Sequence, residues 1–185
     1  MPSYVALLRG VNVGGKNMVK MADLKAAFEE AGFRNVSAYI NSGNILFESE
    51  RDEAAIQAIC TTLLVQKFSL DVPACVIASI DLTDALSHAP PWWGNTANTK
   101  HDAFFVIPPT TAEQIVDHVG AVREDYEKLA YHGRVVFWSA PAATFSRTRV
   151  SQITKNRAMY RSITVRNANT AFKLAELVRE RMNER

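Results

Sequence analysis

The Ser42-Gly43 turn, with the runs on either side of it, restricts the fold of this chain more than any other feature. Residues 36–41 and 44–47 are strand-like, and a Ser-Gly dipeptide between two such runs predicts an antiparallel hairpin. The hairpin lies between two helical patterns. From about Met21, the residues Leu24, Ala27, Phe28 and Ala31 fall on one helical face, and Gly32 is placed as the C-terminal stop. From about Asp52, Ile56, Ile59, Cys60 and Leu63 repeat that spacing until Asp71-Val72-Pro73 breaks it. Short apolar runs at residues 4–9 and 74–78 complete the order strand, helix, strand, strand, helix, strand. That order is the split βαβ arrangement of ferredoxin-like domains, so residues 1–80 are expected to form a ferredoxin-like antiparallel-sheet subdomain of an α+β protein.

Residues 81–185 are expected to form a second, smaller α+β subdomain. Asp81 and Asp84 can cap a short helix, and the prolines and tryptophans of 89–94 require irregular structure. A strand is expected at 103–107. Thr111 and Gln114 then make a capping box for a helix bearing Ile115, Val116 and Val119. Residues 129–131 and 135–138 flank His132-Gly133 as a second hairpin. A short basic helix near Val150, a strand at 163–166 and a final helix from about Thr170 finish the chain. This half reads as a looser variation on the first, without a sequence repeat.

No apolar run approaches the roughly 18–20 residues a membrane helix needs, and the N-terminal run is too short for a signal-peptide core. The expectation is a cytoplasmic protein with no membrane partner. Cys60 and Cys75 have no metal-ligand spacing and sit in apolar surroundings, which suits two buried thiols in a reducing compartment. The net charge of +2 argues against a dedicated polyanion binder. Its distribution is uneven: residues 146–185 carry ten Lys/Arg against three Asp/Glu. Such a segment is either a basic face for an anionic ligand or one neutralised internally by the more acidic remainder.

Two clusters can carry chemistry. Gly10, four residues, then Gly15-Lys16 match the opening of a phosphate-binding P-loop, in which glycine lets main-chain N–H groups approach phosphate oxygens. Asn17 stands where a magnesium-binding Ser/Thr belongs, the helix starts several residues late, and the sheet order is antiparallel. These features argue against a nucleotide hydrolase and leave a looser anion-binding loop or a structural glycine turn. In a split βαβ domain this loop neighbours the 41–44 turn, so Arg9, Asn12, Gly14, Gly15, Lys16, Asn17, Asn41, Ser42 and Asn44 converge beside a helix N-terminus. The asparagines can equally serve as turn residues bonded to main chain. The second cluster is Thr164–Thr170, where Arg166 could meet a carboxylate or phosphate and Asn167 or Asn169 could cap the last helix. Arg147, Arg149, Lys155, Arg157 and Arg161 lie nearby in sequence. His88, His101, His118 and His132 occupy unrelated contexts without a zinc signature, and no nucleophile elbow or acid–base pair stands out. No metal or cofactor is expected, and no catalytic residue is assigned.

The segments Tyr4-Val5-Ala6-Leu7-Leu8-Arg9-Gly10-Val11-Asn12-Val13-Gly14-Gly15-Lys16-Asn17, Met21-Ala22-Asp23-Leu24 and Tyr39-Ile40-Asn41-Ser42-Gly43-Asn44 resemble the bacterial family known as domain of unknown function sixteen-ninety-seven. Thr164, Arg166-Asn167, Asn169-Thr170 and Lys173-Leu174 resemble its C-terminal signature, with Ala168 where many relatives carry tryptophan. The resemblance implies an α+β fold with a ferredoxin-like portion and supplies no activity, cofactor or partner. The leading functional expectation is a small anionic ligand bound at loop 10–17. A nucleic-acid module on the basic C-terminal face is the first alternative, although residues 44–47 lack the aromatic signature of RNA-recognition sheets. A protein-interaction or dimeric module using Trp92-Trp93 is the second.

Overall fold

In the computed structural model, which describes residues 1–94, 96–123 and 125–184, the chain is a mixed α/β protein with two four-stranded antiparallel sheets. It divides into two compact units, Met1–Leu82 and Thr83–Glu184.

The first unit contains β1 (Ser3–Leu8), α1 (Met21–Glu30), β2 (Arg34–Tyr39), β3 (Asn44–Glu48), α2 (Glu53–Phe68) and β4 (Ala74–Ala78), with strand order β2-β3-β1-β4. β1 is central. Its Val5 pairs with Leu46 on one side and Ile77 on the other. Side chains alternate along a strand, and Tyr4, Ala6 and Leu8 enter a core with Phe28, Phe47, Ile56 and Leu64 from the helices and β3. Val5 and Leu7, which point the other way, are buried as well, so β1 reads as a continuous apolar run. Asp52 caps α2 by accepting the Ala55 N–H, and Gly32, at φ +86°, follows the end of α1 as expected.

β4 leads directly into α3 (Ser79–Ser87), which begins before the expected caps Asp81 and Asp84. The second unit continues with β5 (Thr99–Val106), α4 (Ala112–Val119), β6 (Lys128–His132), β7 (Val135–Pro141), α5 (Arg157–Arg161), β8 (Ile163–Asn167) and α6 (Ala168–Asn183). Its strand order, β6-β7-β5-β8, repeats that of the first unit strand for strand. The second unit was expected to be the smaller; it is the longer of the two, and its sheet has as many strands. Thr111 and Gln114 form the expected capping box of α4. The stretch near Val150 is a 3-10 segment (Val150–Lys155) in place of a basic α-helix. A buried carboxylate organises it: Glu127, 2% exposed, accepts the main-chain N–H of Arg149 at 2.8 Å and the Trp138 indole N–H at 3.2 Å. α6 starts at Ala168 instead of Thr170, capped by Asn167 through the Thr170 N–H. Among the described residues, no helix is long and apolar enough to cross a membrane. Cys60 and Cys75 are both buried, and burial pushes the Cys60 thiol up to about 12.

Candidate functional site

In the first unit, the glycine-rich loop and the 41–44 turn lie side by side. The Leu8 N–H donates to the Gly43 carbonyl at 2.8 Å, and Asn12 Nδ2 donates to the Asn41 carbonyl at 2.9 Å. Asn12 also donates to Val19 O and accepts the Val19 N–H through Oδ1, so this one amide clamps the loop closed. Asn17 Nδ2 donates to Gly10 O at 3.0 Å, and the Lys16 N–H returns to Val13 O. The loop is therefore a small self-bonded hairpin, with Gly14, Gly15 and Lys16 exposed at its tip. Asn12 and Asn17 both adopt positive φ, a conformation asparagine tolerates better than most residues.

Asn44 is fully buried, and its Nδ2 donates to Tyr39 O and to Ser42 Oγ, closing the turn from within. Arg9 is half-buried, and its main-chain N–H donates to Pro73 O. Asn12, Asn17, Asn44 and Ser42 are thus engaged in loop architecture. Lys16, Asn41 and the two glycines at the tip are the expected residues of this cluster that are exposed.

In the second unit, Arg166 is 8% exposed and donates to Thr164 Oγ1 at 3.1 Å and Val165 O at 2.8 Å. It lies opposite Ala103 in the sheet instead of joining the exposed basic residues Arg147, Arg149, Lys155, Arg157 and Arg161. Asn167, one residue on, carries the helix cap. β5 and β8 are antiparallel, so the start of β5 meets the end of β8 where α6 begins, with Asp102 opposite Asn167. A cleft of about 490 Å³ opens there, lined by Thr99, Lys100, His101, Asp102, Asn167 and Asn169 among others.

His101 is the unusual group of this cleft. It is 7% exposed, its Nδ1 shares a hydrogen bond with Ser139 Oγ at 2.5 Å, and its Nε2 is buried without a protein partner among the described residues. Burial lowers its pKa, against the opposing pull of Asp102, which keeps the imidazole neutral near pH 7. The Asp102 carboxyl is raised by burial and drawn back down by Lys100, whose Nζ lies 3.6 Å away. A Ser-His pair suggests nucleophile activation. Ser139 is only 5% exposed, however, and sits opposite His101 in the β5–β7 ladder, so a reacting carbonyl has no approach. The cleft is suited to holding a polar group, with Lys100 and the first turn of α6 supplying positive potential.

The lowered His101 pKa has a consequence for stability. Below about pH 6.5 the unfolded chain protonates this histidine before the folded chain does, so stability falls as pH drops toward the native value. Asp102 acts in the opposite sense, because its raised native pKa lets the folded state bind a proton first as pH falls through the carboxylate range. Urea denaturation of wild type and His101→Asn near neutrality and at about pH 5.5 is expected to show a smaller acid loss in the variant. Equal losses would remove His101 as the cause.

Sequence reasoning missed a second group. His88 and His132, which occupy unrelated sequence contexts, stand together with their rings parallel at a centroid distance of 4.0 Å, and Asp84 bonds to both. The Asp84/His88 spacing of four, at the end of a helical stretch, was the available signal.

Family membership agrees with this architecture. The model of the family described as protein of unknown function (DUF1697) matches residues 1–137. The conserved bacterial protein SP0830 from Streptococcus pneumoniae is 29% identical in sequence, with a TM-score of 0.82 over 96% of this chain and 98% of that one. An unknown protein from Galdieria sulphuraria is 11% identical in sequence, with a TM-score of 0.25 over 90% of this chain and 97% of that one. No curated protein matches the chain. The glycine-rich loop and the 41–44 turn lie inside the matched span, and the chain belongs to the DUF1697 family, whose function is unknown.

Proposed function

We propose that this chain binds a small phosphate- or carboxylate-bearing molecule in the polar cleft between the start of β5 and the first turn of α6. The observation that carries this reading is the buried His101 imidazole, whose Nε2 has no protein partner among the described residues, in the lining of a polar cleft. An orphaned buried polar atom costs about 1–3 kcal/mol, which a bound polar group would offset. Lys100 and the N–H groups at the start of α6 provide the complement for an anion, as helix N-termini do for phosphate. The glycine-rich loop is the second surface for the same chemistry, because Gly14 and Gly15 take no part in its internal hydrogen bonds and Lys16 is exposed beside them. We read each unit as a ferredoxin-like domain with a boundary near residue 80, and the two buried thiols as suited to a reducing cytoplasm.

A thermal-shift screen against inorganic phosphate, nucleotides and small carboxylates tests this without assuming a reaction, since a ligand bound only to the folded state raises Tm. The expected result is a salt-tolerant rise with one compact anion that survives in Lys16→Ala and is lost in Lys100→Ala. The reverse pattern moves the ligand to the glycine-rich loop. A rise only with oligonucleotides that disappears in salt favours the exposed arginines of 147–161. No rise with any anion would sink the proposal.

A further inference from the structure

The second unit carries another group of donors, away from the cleft residues. Asp84 and His88 project from the end of α3 and the residue after it, and His132 ends β6 at the hairpin turn. His132 Nε2 lies 2.9 Å from Asp84 Oδ2, and His88 Nδ1 lies 3.5 Å from Asp84 Oδ1. One ligand atom from each of the three side chains falls within 4.8 Å of the other two. We infer that Asp84, His88 and His132 form a binding site for a divalent transition metal ion.

Two imidazole nitrogens and one carboxylate oxygen are the donor set of three-ligand zinc sites, in which further positions stay with water. The same set accepts nickel, cobalt and copper, and it disfavours calcium and magnesium, which take oxygen ligands. Two of the donors share one helical turn and the third comes from a strand end, so the ion would join two elements of the unit.

The ring planes are parallel, with centroids 4.0 Å apart, and imidazole lone pairs lie in the ring plane, so coordination of one ion requires the rings to tilt apart. That adjustment is open to them, because the His88 and His132 side chains are 55% and 39% exposed. Asp84 Oδ2 would exchange its hydrogen bond from His132 for the metal. The exposure of the cluster leaves the ion accessible to solvent, which suits an exchangeable ion better than a structural one.

Isothermal titration of the full chain with zinc chloride at neutral pH, in a buffer that does not chelate metals, tests the inference. Wild type is expected to bind one ion saturably. His88→Ala, His132→Ala and Asp84→Asn should each weaken binding by at least ~10-fold, given that even supporting residues around a metal are worth that much. His118→Ala is the control and should bind as wild type does. All four substitutions are at exposed or half-exposed positions, so metal-free melting curves matching wild type are expected and establish that each variant is folded. Absence of saturable binding by wild type overturns the site, and so does wild-type affinity in both His88→Ala and His132→Ala.

Discussion

Gly43→Ala is expected to destabilise the protein by about 3 kcal/mol, which combines the strain of a left-handed non-glycine residue with overpacking of a filled core. Gly43 has φ +71°, and a Cβ there would sit 2.8 Å from Leu8 Cβ and 3.3 Å from Val11 Cβ. Neither contact is the far end of a flexible chain. Leu8 lies in the central strand and is fully buried, and its N–H is already bonded to the Gly43 carbonyl. Gly14→Ala separates the two causes. Its φ is +59°, but nothing lies within 4 Å of an added Cβ, so only the conformational part remains, on the order of 1 kcal/mol. Urea denaturation of the two variants should show Gly43→Ala with much the larger drop in midpoint at an unchanged slope. Equal midpoints would mean that the close approach to Leu8 is not what fixes this glycine.

Phe47→Ala should cost about 3–5 kcal/mol, the range for deleting a buried aromatic ring when the cavity cannot collapse. Phe47 is fully buried at the centre of an aromatic cluster, with ring centroids 4.6 Å from Phe33, 5.5 Å from Phe28 and 6.0 Å from Tyr4. Those neighbours come from α1, from the turn that follows it and from β1, so no single side chain can swing into the space. Phe47→Leu retains most of the volume and should recover more than half of the loss. A loss below about 1 kcal/mol in Phe47→Ala would show that the cluster is looser than its geometry implies.

Much of this architecture is legible in the sequence where the signal is local. Ser42-Gly43, the Thr111/Gln114 box and the periodicity of α1 and α2 each depend on residues a few positions apart, and the elements form where they were expected. The start of β5 is different. Thr99-Lys100-His101-Asp102 has no strand-like composition, and it becomes strand because it pairs with residues near Ser139 and Ala140 far along the chain. The cleft that His101 lines was therefore invisible. Arg166 was singled out within a run of basic residues, yet whether a strand residue faces in or out depends on register, and register here is set by β5. The pairing of His88 with His132 also needs the fold, because only the Asp84/His88 spacing is written in the chain. The repeat of strand order in the two units has no counterpart in residue identity, since each sheet fills its core with different side chains.

The place of β1 at the centre of its sheet has a bearing on how this chain must be made. Val5 leaves the ribosome well before its partners Leu46 and Ile77. At ~5–20 residues per second, an apolar strand with both edges unpaired waits several seconds for its neighbours. β5 faces the same delay in the second half, because β7 and β8 both come after it. Each nascent half passes through a stage in which its central strand is already synthesised and still unpaired, and a chaperone that shields short apolar strands would act at that stage.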